Sequence, residues 1–355
     1  MLKEIFSDLK VVELASVLAG PAVGMFFAEL GANVVKIENK ITNGDVTRKW
    51  KLPIEKEEEI SAYYHSVNWN KKTLLLDLNE KESFQLAISE IKDADILITN
   101  FKSGSAKKLG LDYASICKIN PSIIYGSINA YGEDDNQVGF DAMIQADTGW
   151  ISMTGPPEGP SCKMPVAIID LMAAHQLKEG ILIALIKRFK TGKGSKVTSS
   201  LFESSIASLA NQAAGYLNTG FVPSRMGTKH PTIAPYGDLY MSKDSMELMI
   251  AVGTDSQFQD LLQILELDPK NFKDFQSNHQ RVKRRSDLEV LLSDAFANFD
   301  ASYILDHFNK RSIPVAKIKT LDEVFRHKLA KEMILVDNQN GNINKRVKTI
   351  SFQIS

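Results

Sequence analysis

Cysteine is nearly absent from this sequence, with two residues, Cys117 and Cys162, among 355. Two are too few for a disulfide framework and fit the reduced thiols of a cytosolic enzyme. Both are therefore expected to be buried as small residues, and the expected compartment is the cytoplasm. Long apolar runs are missing as well. None approaches the roughly 18 residues of a membrane span, and the amino end, MLKEIFSDLKVVEL, has neither the apolar core nor the cleavage pattern of a signal peptide. Excess charge of either sign is lacking too, because 42 Lys and Arg stand against 43 Asp and Glu. Such a balance provides no broad field to draw nucleic acid or an anionic membrane, so any anion is recognised locally. No grouping of His, Cys, Asp and Glu has metal-ligand spacing, and no metal is expected.

What is present is a core-forming composition, 44% hydrophobic, long enough for about two domains at roughly 150 residues each. From Lys10 to Asn129 short apolar runs alternate with helical stretches, the pattern of parallel strands joined by helices. KVVEL (Lys10 to Leu14) reads as a buried strand, Pro21 to Leu30 as a helix entered through Gly20-Pro21, and Asn33 to Ile37 as the next strand. Thr73 to Asp77, Ile96 to Thr99 and Ile123 to Ile128 add three more strands, with Glu80 to Lys92 as an amphipathic helix. Longer helices follow at Asp141 to Trp150, Leu171 to Lys190 and Leu201 to Tyr216, with Thr191 to Lys196 as a break. The fold class is α/β: a Rossmann-like large domain with a parallel sheet, and a smaller α+β domain. The expected division is 1–200 for the large domain, 201–224 for a linker helix, 225–325 for the small domain and 326–355 for a C-terminal return segment.

The turn from Ser16 to Pro21 lies between a strand's carboxyl end and a helix's amino end, where open α/β sheets bind ligands and backbone N–H groups can hold an anion. It contains neither GxGxxG nor GxxxxGK[ST], which weakens a dinucleotide or nucleoside triphosphate reading. Asp170 follows Pro165 to Ile169 and opens an apolar helix. Two readings stay open from position alone. Asp170 is a helix N-cap, or it is a carboxylate nucleophile able to form an acyl intermediate when desolvated beside amide donors. His230 lies in a loop, Met226 to Pro231, and is a further candidate. His175 reads as a core histidine, and the basic run Arg281 to Arg285 as solvated surface.

Taken together, six co-linear segments resemble the family III CoA-transferases, the group that includes formyl-CoA transferase and carnitine CoA-transferase. They are Glu13 to Glu38, Gly44 to Trp50, Asn70 to Leu78, Ala94 to Phe101, Gly139 to Gly155 and Ile168 to Val197, with His230 to Gly237 resembling the start of the family's small domain. The resemblance implies that Asp170 is the catalytic aspartate. It would attack an acyl-CoA carbonyl to give a mixed anhydride, become an aspartyl-CoA thioester, and pass CoA to an incoming small carboxylic acid. It implies CoA or acyl-CoA as substrate rather than as a tightly bound cofactor. Expected coenzyme contacts are Val17, Ala19, Lys40, Leu76, Asn100, Phe101, Lys108 and Leu109, with Phe101 on adenine and Lys108 at phosphate. The expected acid pocket takes in Leu18, Trp50, Phe140, Asp141 and His230. Lys40 takes the coenzyme role because Asn39 stands where the family carries a basic residue. Leu18 stands where formyl-CoA transferase carries glutamine, which argues against formate and oxalate. Family members form interlocked homodimers, so a homodimer is expected.

Racemases of α-methylacyl-CoA share the fold, but they carry histidine just before the aspartate that Asp141 matches. Phe140 occupies that position and cannot exchange a proton, so transfer is preferred over racemisation. A CoA-binding protein without turnover is the other alternative, and retention of Asp170, Gly20, Asn100 and Phe101 speaks against it.

Overall fold

The computed structural model describes residues 4–339 and 342–354. The chain forms two units, one from residues up to 150, 163–222 and 332 onward, the other from 151–162 and 223–331. Residues 201–222 and 332–355 thus belong to the first unit, whereas the boundaries read from sequence set them apart as a linker and a return segment.

The first unit is built on a parallel sheet of six strands: β1 Lys10–Leu14, β2 Asn33–Asn39, β3 Lys71–Leu76, β4 Ile96–Thr99, β5 Ile124–Asn129 and β6 Ser195–Ser200. Their spatial order is β3-β2-β1-β4-β5-β6, every neighbouring pair parallel. The order reverses between β1 and β4, and at such a switch point a crevice opens beyond the strands' carboxyl ends. Strands β1 and β4 are almost wholly buried, so their sequences are mostly apolar, as strands covered on both faces require, with Glu13 in β1 as the buried exception whose charge has to be paired. Strand β6 starts in the segment expected to be a break, Thr191 to Lys196, and continues past it to Ser200. Its sequence, SKVTSS, holds one large apolar residue, because it lies at the sheet's edge and only alternate positions are covered.

Helix Ala19–Glu29 is buried along its whole length. It starts two residues before Pro21, which costs nothing because amides of the first turn have no intrahelical partner. Phe26 and Phe27 pack edge to face with centroids 5.1 Å apart, and the helix contacts the long helix Ile168–Thr191 over the sheet. The stretch expected as one helix from Leu201 to Tyr216 is two, Leu201–Ala207 and Ala210–Thr219. Near the break the Ser208 hydroxyl donates to the Ser204 carbonyl, and Ala210 takes a left-handed φ of 46°. The segment after residue 332 forms an antiparallel hairpin of Ile334–Gln339 with Asn342–Val347. It then docks on the first helix: Arg346 donates to Glu29 at 2.7 Å, and the Thr349 and Ile350 N–H groups donate to the same carboxylate at 2.9 and 3.0 Å.

Beneath the sheet's carboxyl edge lies a buried ionic network. Glu13 on β1 pairs with Lys36 on β2 and with Lys71 on β3, each at 2.8 Å, and all three side chains are wholly buried. Burial opposes ionisation of Glu13, but the flanking Lys36 and Lys71 hold its carboxyl below the usual range. Burial also depresses Lys71, to about 8. Helix Ala19–Glu29 passes directly over this network at Gly24.

The second unit carries a three-stranded antiparallel sheet of β7 Tyr236–Met241, β8 Glu247–Ala251 and β9 Val315–Lys317, in that order. Helices Asp255–Ile264, Arg285–Phe296 and Ala301–Lys310 supply most of its core. The hairpin of the first unit is β10 Ile334–Gln339 with β11 Asn342–Val347. Two expectations are corrected here. The basic run is solvated surface only at Lys283 and Arg284: Arg281 is wholly buried and donates to the Ala234 and Phe275 carbonyls and to Asp255. Arg285 donates to the His230 and Ile233 carbonyls. Guanidinium groups with several fixed donors can tie loops together where the core is small. The cysteines, in turn, are only partly buried.

A methyl group added at Gly24 would lie 1.9 Å from Glu13 Oε2, so side-chain bulk there drives the helix off the network or breaks its ion pairs. Breaking a buried pair costs about 3–5 kcal/mol. Gly24→Ala is expected to destabilise the protein by an amount on the order of 3 kcal/mol, measured by urea denaturation, whereas Gly215→Ala, inside the helix Ala210–Thr219 with open space at its Cβ, raises the midpoint by the equivalent of about 0.5–1 kcal/mol.

Candidate active site

Asp170 sits in the first turn of the helix Ile168–Thr191, but at its third residue. The N-cap is Ala167, which supplies no side-chain cap, and Asp170 is therefore not the cap that position alone allowed. The capping work is done from outside. Asp141, at the start of the helix Asp141–Asp147, accepts the Ile169 N–H at 2.7 Å through Oδ1 and the Gln145 amide at 2.6 Å through Oδ2. Gln145 in turn accepts the Met164 N–H at 2.9 Å. Asp141 is thereby fully engaged, and the turn that presents Asp170 is fixed.

Asp170 itself is 7% exposed and lines a cavity. No side-chain donor among the described residues is hydrogen-bonded to its carboxylate. Burial, reinforced by the nearby Asp141 charge, pushes its pKa up to about 7. A carboxylate of this kind is more basic than usual and is held without a counterion, which is the condition for nucleophilic use.

Opposite lies the switch-point turn. Asn100, just past β4, accepts the Ser16 N–H at 3.0 Å and donates to the Ser16 carbonyl at 2.8 Å. These reciprocal bonds stitch the crevice between β1 and β4. The next residue, Val17, has φ of 71°, a left-handed conformation that is costly for a β-branched side chain. Its N–H donates to Asp45 Oδ2 at 3.1 Å. Helix Ala19–Glu29 then begins, with its first amides unpaired within the helix.

Two adjoining cavities run along this edge. The first, about 330 Å³, is bounded by the Ser16–Ala19 turn, Asn100, Phe101, Phe140 and Asp170. The second, about 610 Å³, extends past Glu38, Asn39, Leu76 and Leu109. Ser16, Val46, Asn100, Phe101 and Lys102 line both. The structure therefore gathers Asp170, Val17, Leu18, Ala19, Leu76, Asn100, Phe101, Leu109 and Phe140 into one groove.

Other expected residues lie elsewhere. Lys40 is exposed, 3.9 Å from Glu80, and Lys108 is exposed in the short turn Ser105–Lys108; neither lines a cavity. Trp50, 42% exposed, packs edge-on against Tyr63 at 5.3 Å between centroids. Asp141 supports Asp170 from behind the wall. His230 belongs to the second unit, its ring against Tyr236. His175, read as a core histidine, is exposed on its helix. Sequence reading passed over Lys102 and Lys49, the cations that do line the groove. Lys102 was within reach of it, since it directly follows Phe101 at the carboxyl end of β4. Lys49 gave no such signal, because the turn Val46–Lys49 is brought to the edge by tertiary contacts alone.

An open parallel sheet with a buried, unpaired carboxylate facing an amide-rich turn suits an enzyme that handles acyl groups. Residues 6–354 match CoA-transferase family III, and the chain belongs to that family. The succinate–glutarate CoA-transferase of Agrobacterium fabrum is 34% identical over 90% of this chain and 81% of its own length. The mouse succinyl-CoA:glutarate CoA-transferase is 34% identical over 89% and 72%. A CAIB/BAIF family protein from Brucella suis superposes with a TM-score of 0.86 at 36% identity, covering 99% of this chain and 93% of that one.

The raised pKa of Asp170 has a consequence for stability. Its ordinary value is 3.8 and its folded value about 7, so between these the folded state keeps a proton that the unfolded state has lost. The protonated group's contribution is fully present below pH about 4 and is lost as pH rises through 7. Asp170→Asn is therefore expected to be more stable than wild type, by an amount on the order of 2 kcal/mol at pH 8 and by little at pH 4, as thermal denaturation across that range would register.

Proposed function

We propose that this chain transfers CoA from an acyl-CoA thioester to a free carboxylic acid through covalent intermediates on Asp170. The observation that carries the proposal is the placement of a buried, unpaired carboxylate of raised basicity in the first of two adjoining cavities of about 330 and 610 Å³. Asp170 Oδ attacks the thioester carbonyl, the C–S bond breaks, and CoA leaves as thiolate, giving a mixed anhydride. The thiolate attacks the aspartyl carbonyl and releases the donor acid. The acceptor carboxylate then attacks the aspartyl-CoA thioester, and the freed thiolate takes the acceptor acyl group, which regenerates Asp170. Holding carboxylate and thiolate together divides one difficult exchange into displacements between neighbours.

In this reading the CoA thiol end lies at Asp170 and the rest of the coenzyme follows the second cavity toward Leu76 and Leu109. Phe101, at the junction, packs on it, while Lys102 and Lys49 supply the positive charge expected of Lys40 and Lys108. The family relatives named for succinate and glutarate support a short dicarboxylate as acceptor, its distal carboxylate met by polar groups of the first cavity such as Gln137 and Asn129. A homodimer is supported by apolar residues left uncovered in one chain, among them Ile183, Ile186 and Phe189 on the helix Ile168–Thr191. No helix among the described residues is long and apolar enough to cross a membrane, which accords with a cytoplasmic setting.

Racemisation is disfavoured because it needs a base on each side of the α-carbon. Phe140 supplies none, and both Asp141 oxygens are taken by Ile169 and Gln145.

Incubation with succinyl-CoA and hydroxylamine is expected to leave a hydroxamate on Asp170, identified by peptide mass spectrometry. Asp170→Ala should lose CoA exchange by about 10³-fold or more while retaining CoA binding. Exchange surviving in that variant, or deuterium entering the acyl α-carbon without an acceptor acid, contradicts the proposal. Because the nucleophile is the ionised carboxylate, the rate of adduct formation should climb with pH up to about 7 and level off above it, as rapid-quench measurements would record.

A further inference from the structure

We propose that Asp45 is a positioning residue for CoA transfer, holding the left-handed Val17 turn and the Val46–Lys49 turn as two walls of the groove. The inference rests on the reading of Asp170 as the acylated group. Asp45 is 5% exposed; it does not line the first cavity beside Asp170, and it borders the second. Its carboxylate is instead fully occupied by the protein. Oδ2 accepts the Val17 N–H at 3.1 Å and lies 3.3 Å from Lys36 Nζ. Oδ1 accepts the Thr47 N–H at 3.0 Å and the Thr47 hydroxyl at 2.8 Å. The Asp45 N–H is itself held at 2.9 Å by Glu38, which also accepts from Arg48 and Tyr64.

This wiring joins the two sides of the groove through one side chain. On one side stands Val17, whose φ of 71° is unfavourable without an outside restraint. On the other stands the turn capped by Asp45, which carries Val46 into both cavities and Lys49 into the second. Both positions need an acceptor, and Lys36 needs an anion. Oδ1 also reaches the Val17 N–H, but only at 3.4 Å, so asparagine meets part of this demand. Its oxygen can keep the Thr47 donors and this longer bond, while its amide presents N–H groups where Lys36 and the closer Val17 contact need an anionic acceptor. Loss of the carboxylate therefore frees Val17 to leave the left-handed region and shifts the Ser16–Ala19 wall facing Asp170. Small displacements of a group that orients the reacting carbonyl lower the chemical step far more than they lower affinity.

The test is single-turnover formation of the Asp170 adduct from succinyl-CoA, trapped with hydroxylamine, beside CoA binding by calorimetry. Asp45→Asn is expected to slow adduct formation by about 10- to 100-fold while CoA affinity changes by less than about threefold. Glycine tolerates positive φ without restraint, so in a Val17→Gly background the same Asp45→Asn change should slow adduct formation much less. That non-additivity is a readout that general loosening of the fold would not produce. Equal adduct rates in wild type and Asp45→Asn, or an equal penalty in both backgrounds, overturn the inference. Absence of any adduct in wild type instead overturns the assignment of Asp170. If Asp45→Asn does not fold, Thr47→Val carries the test, because it removes a donor that orients the same carboxylate while keeping the side chain's volume. A fall of about threefold or more in adduct rate at unchanged affinity is then expected, and an unchanged rate overturns the inference.

Discussion

Much of this structure depends on charges kept away from water. Glu13, Lys36 and Asp45 lie between the sheet and the first helix, and their mutual compensation is what allows each to be there. Remove that compensation and three things lose support together: the close passage of the helix at Gly24, the conformation of Val17, and the stitching of β1 to β2 and β3. An apolar core of equal volume would satisfy the packing. It would not offer an acceptor to a strained backbone N–H at the point where the sheet opens. The network therefore does local work at the groove's floor that hydrophobic burial cannot do.

The contrast with Asp170 is instructive. Asp45 and Asp170 are both buried aspartates within the same unit, yet their environments are opposite. Asp45 faces an ammonium and three hydrogen-bond donors. Asp170 faces another carboxylate and a cavity, and its affinity for a proton rises accordingly. One is spent on structure and the other is kept available. The difference arises from neighbours contributed by distant parts of the chain, since nothing in the residues flanking either aspartate distinguishes the two roles.

That is also the limit of what could be read from sequence. Strands β1 and β4 were legible to the residue because burial on both faces leaves short, mostly apolar runs, broken in β1 by Glu13 and closed in β4 by Thr99. Strand β6 was hidden because an edge strand needs few apolar residues, and Thr191 to Gly194 obscured its start. At the site, Asn100 and Phe101 followed from the family resemblance, whereas Lys49 and Asp45 depend on how a loop folds back across the sheet. Arg281 and Arg285 looked like surface for the same reason: sequence shows their charge, and only the fold shows the carbonyls of Ala234, Phe275 and Ile233 that absorb it.

The docking of residues 346–350 onto Glu29 bears on how the protein is made. The six-stranded sheet has all its strands once residue 200 has left the ribosome, but the buried carboxylate of Glu29 still lacks Arg346 and the Thr349 and Ile350 amides that satisfy it. The intervening second unit has to be synthesised before they arrive. During that interval Glu29 has the charge of Lys178 nearby but none of these three donors, so the first unit is incompletely tied until they arrive. Sequence separation on this scale slows folding through the entropy of closing the loop.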